Sequence, residues 1–219
     1  MKPDRIKNPW EEISLDDYEN HMSLDSVNQL QTLNAMMKKQ LEDHDADRVM
    51  ILGIAGGNGL EHVSSDKFKK VYGVDINEDY LKVVSKRYAY LGDTLECLRV
   101  DLINEADKLP QTDLLIADLL VEYIGEEAFV NVVRKTNPKY VSCIIQINLD
   151  VENWVSDSPY IHAFDGLDAV HHQMENSALS SAMTNAGYKK GPEFTESLPN
   201  GKALVRLDFF LDEKCFFLF

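Results

Sequence analysis

Cysteine is scarce in this chain. Cys97, Cys143 and Cys215 stand far apart, in no metal-ligand spacing, and the first two fall inside apolar runs. The pattern offers neither a disulfide framework nor a zinc cluster, and the thiols read as reduced core side chains. Positive charge is scarce too: 22 Lys and Arg face 37 Asp and Glu, for a formal net charge of -15, with no Lys/Arg-rich stripe to offset it. Such a surface repels phosphate, which argues against nucleic acid or an anionic membrane as partner. No apolar run nears the roughly 18 residues of a membrane span. The opening MKPDRIKNPWEE is too polar for a signal peptide, so a cytoplasmic protein is expected. His162, His171 and His172 lie near Glu175, but adjacent residues on a helix point about 100° apart, and no metal is assigned to them.

Apolar residues make up 44% of the 219 and are spread along the chain, enough for one domain with a sizeable core. Six runs read as strands: VMILGI (49–54), KVYGVD (70–75), LECLRVD (95–101), TDLLIAD (112–118), YVSCIIQIN (140–148) and ALVRLDFFL (203–211). Helices are expected over 59–66, 78–91, 126–136 and 170–186, and in 78–91 Tyr80, Leu81, Val84, Tyr88 and Leu91 share one face. The alternation predicts an α/β domain with a mainly parallel sheet. After Gly187 a turn at Pro199-Asn200-Gly201 leads into the last strand with no intervening helix, so that pair must be antiparallel. Ahead of the domain (45–219), residues 1–44 form a helical extension or lid. Its stripe of Met22, Val27, Leu30, Leu33, Met37 and Leu41 should pack on the domain, with Ser23 or Asp25 as an internal N-cap. Residues 149–169 show little periodicity but carry Trp154, Pro159, Tyr160 and Phe164, and read as an ordered cover. The tail EKCFFLF (213–219) is apolar enough to require burial, on the core or in a homodimer.

The chemistry-bearing residues sit at strand ends. Gly53-Ile54-Ala55-Gly56-Gly57-Asn58-Gly59 follows the first strong strand and precedes an expected helix, the setting of a nucleotide-binding loop whose small residues let backbone N–H groups approach a ligand. Asp75 ends the next strand, 22 residues beyond Gly53, where a carboxylate accepts two ribose hydroxyls or, alternatively, caps the helix starting near Glu78. Asp101 and Asp118 end the third and fourth strands.

With these four features in order, residues 48–211 resemble the class I S-adenosylmethionine-dependent methyltransferases, in particular bacterial small-molecule enzymes. The resemblance implies a Rossmann-like fold with a seven-stranded, mostly parallel sheet, an antiparallel C-terminal hairpin and helices on both faces. It also implies S-adenosylmethionine as methyl donor, with S-adenosylhomocysteine as product. Gly53, Ala55, Gly57 and Asn58 would meet the cofactor from the loop, Asp75 and Ile76 at the ribose, Asp101 and Leu102 at the adenine, Asp118 and Leu119 at the methionine end. Two positions depart from the family pattern: Ile51 stands where an acidic residue is usual, and Ala55 replaces the second glycine, a change tolerated if its φ is below zero.

Methyl transfer is an in-line displacement in which positioning can supply most of the catalysis, and a base is needed only for a protonated acceptor. Candidates for that base are His21, Glu122 and Tyr123, His21 having either this role or that of an exposed helix residue; Tyr18, Met22, Tyr160 and His162 are candidates for the lid and for substrate contact. The partner expected is a small-molecule acceptor. Two alternatives remain at this level: a NAD-dependent oxidoreductase, and a non-catalytic cofactor-binding or interaction protein on the same fold.

Overall fold

The structure is a computed structural model in which residues 7–148 and 154–212 are described; the apolar tail and the start of the cover lie outside them. Two helices, α1 (Leu15–Ser23) and α2 (Gln29–Asp43), precede β1 (Arg48–Leu52), β2 (Lys70–Asp75), α3 (Glu78–Arg87), β3 (Leu95–Arg99), β4 (Leu114–Asp118), α4 (Val121–Thr136) and β5 (Tyr140–Asn148). After the cover come α5 (Asn176–Asn185), β6 (Tyr188–Ser197) and β7 (Lys202–Leu211). The seven strands form one sheet in the order β3-β2-β1-β4-β5-β7-β6. The first five are parallel to their neighbours, and β7 runs antiparallel to both β5 and β6. The expected hairpin is therefore present, with a register shift between Lys190 and Glu193 that takes up Gly191 and Pro192. A proline with no N–H to give is tolerated on such an edge strand.

Burial on both faces explains the continuous apolar runs. Val49 and Ile51 face a layer containing Met37 and Leu41 of α2 and Leu81 and Val84 of α3. Met50 and Leu52 face the opposite layer, with Phe129, Val132 and Val133 of α4 and Leu179 and Met183 of α5. Among the described residues no helix is long and apolar enough to cross a membrane, and no group of three or more His, Cys, Asp or Glu could hold a metal ion.

Four helix expectations need correction. The stretch 59–66 forms only one 3-10 turn, Leu60–His62, because α2 occupies the adjacent space: a Cβ on Gly59 would lie 2.4 Å from Met37 Cγ. The helix expected at 78–91 ends at Arg87 and passes into a 3-10 segment broken at Gly92, whose φ is 51°. The helix expected from 126 begins at Val121, with Gly125 (φ 77°) breaking its regular path. Residues 161–169 are 3-10, and the helix expected from 170 starts only at Asn176; the His172 N–H bonds the Glu122 carbonyl at 2.6 Å instead of continuing a helix. The expected caps also move. Ser14 caps α1, its Oγ accepting the Asp17 N–H at 3.0 Å. Ser23 is the last residue of that helix, and α2 begins after Asn28 at φ 52° with no side-chain cap.

Phe129 is fully buried between α4 and the sheet. Phe129→Ala should lower the unfolding free energy by about 3–5 kcal/mol, read from the urea midpoint at unchanged m. A loss below about 1 kcal/mol would show that this layer is not close-packed.

Candidate active site

In the parallel part of the sheet all strands end at the same edge, and the strand order reverses between β1 and β4. A crevice opens outside the strand ends at such a switch point. Here it is a cleft lined by residues from the ends of four strands. Gly53 and Ala55 line it from β1, Asp75 and Ile76 from β2, Asp101 and Leu102 from β3, and Asp118 and Leu119 from β4. Gly57 and Asn58 do not. Gly57 (φ 82°) lies against Tyr88, which a Cβ would meet at 2.6 Å. Asn58 is turned to α2, donating to the Leu30 carbonyl and accepting from Asn34 Nδ2, both at 2.9 Å.

The loop is strained where the sequence argued it should not be. Ala55 has φ 46°, and Leu119, facing the same cavity, has φ 51°. Both are left-handed conformations that cost a side-chain-bearing residue about 1–2 kcal/mol. Each is held by a hydrogen bond: the Ala55 N–H donates to Asp75 Oδ2 at 2.9 Å, and the Leu119 N–H to the Ile144 carbonyl at 2.8 Å. Asp75 Oδ1 accepts the Asn77 N–H at 2.9 Å. Asn77, not Asp75, caps α3, its Oδ1 accepting the N–H groups of Asp79 and Tyr80, so the capping alternative for Asp75 is set aside. Burial raises the Asp75 carboxyl to about 6 against these bonds. Asp101 closes its own turn, accepting the Ile103 and Asn104 N–H groups and Asn104 Nδ2. Asp118 Oδ1 accepts from Gln40 Nε2 at 2.8 Å, while Oδ2, itself out of reach of solvent, has no hydrogen-bond partner. Burial pushes this carboxyl up to about 7. Ile51 lies on the face covered by α2 and α3, among apolar side chains, where a carboxylate would be desolvated without a partner.

A second chamber adjoins the first, and Trp10, Tyr18, Leu119 and Tyr123 line both. Met22, Glu122, Trp154 and Phe164 are among its other walls. His21 is buried against it rather than exposed, its Nδ1 2.7 Å from Ser158 Oγ and its ring 4.7 Å from that of Phe164. Burial lowers His21 to about 4, which leaves it neutral. Glu122 stands in the first turn of α4, Oε1 accepting the Gln146 N–H at 2.9 Å and Oε2 lacking a hydrogen-bond partner; burial raises it to about 7. Tyr123 is half-buried between Trp10 and Trp154, and desolvation pushes its hydroxyl well above the usual tyrosine value.

Tyr160 and His162 line neither cavity. His162 is 89% exposed and pairs with Asp165 at 3.3 Å, and Tyr160 packs beneath the cover with Ile13, Phe164 and Leu167. Conversely, Trp10 reaches both cavities from a segment without helical periodicity. Its place is fixed by a capping box, Asn8 to Trp10 N–H and Glu11 to Asn8 N–H, that the sequence Asn8-Pro9-Trp10-Glu11 does display. Asn77 Nδ2 to the Trp10 carbonyl (2.9 Å), Tyr80 Oη to the Ile13 carbonyl (3.0 Å) and Arg87 to Glu19 hold this segment over the rim.

No protein-family model matches the sequence, and no curated protein matches it. Among solved structures, the N-methyltransferase NodS from Bradyrhizobium japonicum WM9, in complex with S-adenosyl-L-homocysteine, aligns with a TM-score of 0.63 at 11% identity, over 94% of this chain and 100% of that one. Magnesium protoporphyrin IX methyltransferase (ChlM) from Synechocystis PCC 6803, with bound S-adenosylhomocysteine, aligns at 0.63 and 12%, over 90% and 93%. The [4+2]-cyclase SpnF aligns at 0.62 and 10%, over 83% and 81%. The chain has the Rossmann-like methyltransferase fold.

Two predictions follow from the strained and buried groups of this site. Ala55→Gly should stabilise the protein by roughly 0.5–1 kcal/mol, the relief at φ 46° less the added backbone freedom; a denaturation midpoint that falls would contradict the left-handed assignment. Glu122 binds its proton more tightly folded than unfolded, so wild-type stability declines as pH rises from its ordinary 4.5 towards about 7. Relative to wild type, Glu122→Gln should therefore gain up to about 1.4 kcal/mol per pH unit across that window and then level off. Urea unfolding at pH 5, 6, 7 and 8 measures the difference, and a constant offset would refute it.

Proposed function

We propose that this protein binds S-adenosylmethionine in the switch-point crevice and transfers its methyl group to a small molecule held in the adjoining chamber. The observation that carries the reading is the pair of joined cavities at the strand ends, the first edged in order by Asp75, Asp101 and Asp118. Its residues suit the cofactor. Asp75, already fixed by two backbone N–H groups, retains lone pairs for the ribose hydroxyls. Asp101 and Leu102 lie where the adenine would be held. Asp118, whose buried Oδ2 lacks a hydrogen-bond partner, suits the ammonium of the methionine end and takes over the charge that Ile51 cannot supply. The reacting methyl would then fall near Trp10, Tyr18, Leu119 and Tyr123, the walls common to both cavities. Residues 1–44 act as the lid, with Trp10 and Tyr18 excluding water from both sides. The cofactor itself supplies an activated methyl group, and the protein's contribution is alignment and desolvation.

Calorimetric titration with S-adenosylmethionine, S-adenosylhomocysteine and NADH tests this reading. Micromolar binding of the first two without the third is expected. Binding of NADH alone would favour an oxidoreductase, and binding of none would remove the cofactor. Asp75→Ala should weaken S-adenosylhomocysteine by about 2 kcal/mol or more, since two buried hydrogen bonds would go unmade. Unchanged affinity would overturn the ribose assignment.

A further inference from the structure

We infer that the second chamber takes its methyl acceptor as an organic ammonium ion, and that Glu122 is the carboxylate that holds it and receives its proton. The inference rests on the cofactor reading only in assigning the acceptor role; the chamber's preference for a cation follows from its own walls.

Glu122 is 5% exposed and has one oxygen committed to the Gln146 N–H and the other without a hydrogen-bond partner. A buried oxygen of this kind calls for a hydrogen-bond donor, and its place in the chamber wall makes it available to one carried by a ligand. Among the described residues lining the chamber, Glu122 is the only carboxylate, and none is Lys or Arg. The amides of Gln29 and Gln146 bond each other at 2.6 Å and remain neutral. His21 is neutral with Nδ1 held by Ser158, and burial also lowers His171. Lys202 is close behind the wall, but its ammonium is committed to the Trp154 carbonyl and Ser156 Oγ. An anionic acceptor would thus meet a carboxylate and no free cation. Aromatic rings share the lining with aliphatic and neutral polar side chains: Trp10 stands edge-on to Tyr123 at 4.9 Å, and Trp154 is stacked on His171 at 4.1 Å. Rings of this type attract ammonium groups through their π faces. A carboxylate with a spare oxygen inside an aromatic enclosure is a recognition site for an amine on an apolar body.

The same placement accounts for the proton. An ammonium nitrogen has no lone pair, so it must lose a proton before it attacks. That proton passes to Glu122 Oε2, whose carboxyl is raised to about 7 and can accept it near neutral pH. The freed lone pair forms the N–C bond while the C–S bond breaks with its electrons remaining on sulfur. The products are an N-methylated ammonium, the thioether and a protonated Glu122, which returns its proton to solvent. Glu122 is a catalytic residue in this scheme. His21, with Nδ1 engaged, positions the cover.

Both tryptophans of the chain line the chamber, so their fluorescence reports its occupancy. Protein with and without saturating S-adenosylhomocysteine is titrated with benzylamine, 2-phenylethylamine and cyclohexylmethylamine, and with the matching alcohols and carboxylates. In wild type at least one ammonium probe should bind tenfold or more tightly than its alcohol and carboxylate counterparts. Glu122→Gln should abolish that preference while S-adenosylhomocysteine still binds. Absence of an ammonium preference in wild type overturns the inference, and so does a preference that survives in a folded Glu122→Gln. The wild-type comparison decides alone if the variant does not fold. Failure of S-adenosylhomocysteine to bind, with the ammonium preference intact, would instead count against the cofactor reading.

Discussion

A buried chain of hydrogen bonds ties the sheet to the N-terminal helices and ends in the crevice. Arg206 of β7 pairs with Asp208 through both oxygens, Asp208 accepts from Ser142 of β5 at 2.6 Å, Ser142 accepts from Gln40 of α2 at 3.0 Å, and Gln40 donates to Asp118 at 2.8 Å. Arg206, Asp208, Ser142 and Gln40 are all buried. A partly satisfied network in a low-dielectric interior is costlier than an apolar one, so removing any member leaves its neighbours exposed to that penalty. The consequence is geometric. Gln40 can reach Ser142 and Asp118 together only if α2 lies across β4 and β5, and the contacts of Leu33 and Met36 with Ile144 and Leu204 keep it there. Once α2 is placed, α1 and Trp10 fall over the crevice.

This arrangement changes what the glycine-rich loop does. In the usual strand-loop-helix arrangement the helix N-terminus brings N–H groups to the ligand. Here the helix is a single 3-10 turn, and α2 fills the vacated space. The loop keeps its path through backbone strain at Ala55, offset by the Asp75 carboxylate, with Leu119 strained on the other side of the same cavity. Strain of this kind persists only where surrounding contacts over-determine it, and two of the four left-handed non-glycine residues among those described lie at the rim of this one cavity.

The strand framework was legible because burial on both faces writes itself as continuous apolar runs, and the carboxylates were legible because Asp75 and Asp118 end such runs and Asp101 lies two residues beyond one. Features set by distant contacts were not. Asn58 sits in the loop by sequence but is claimed by α2, and the helix expected from 170 is delayed because His172 bonds to Glu122. Tyr160 and His162 belong to an aromatic cover, yet its 3-10 turn directs one under the cover and the other to solvent. Gln40 interrupts no apolar stripe and carries no motif, so its role as the link between α2 and Asp118 appears only when β5 and β7 are side by side.

The fold does not choose the reaction, since the [4+2]-cyclase SpnF shares it with NodS and ChlM. The choice must come from the charges at the two cavities. Each has a buried carboxylate oxygen without a hydrogen-bond partner, on Asp118 and on Glu122, and the Glu122 charge adds to the burial that raises the proton affinity of Asp118. In a protein with a net charge of -15, cations entering between two such carboxylates favour the ionised form of both. In the proposed reaction a positive charge moves from sulfur to nitrogen across that wall without changing the total. Glu122 has by then taken the acceptor's proton and stands neutral as the methyl group passes, and releasing that proton to solvent restores the carboxylate beside the new ammonium.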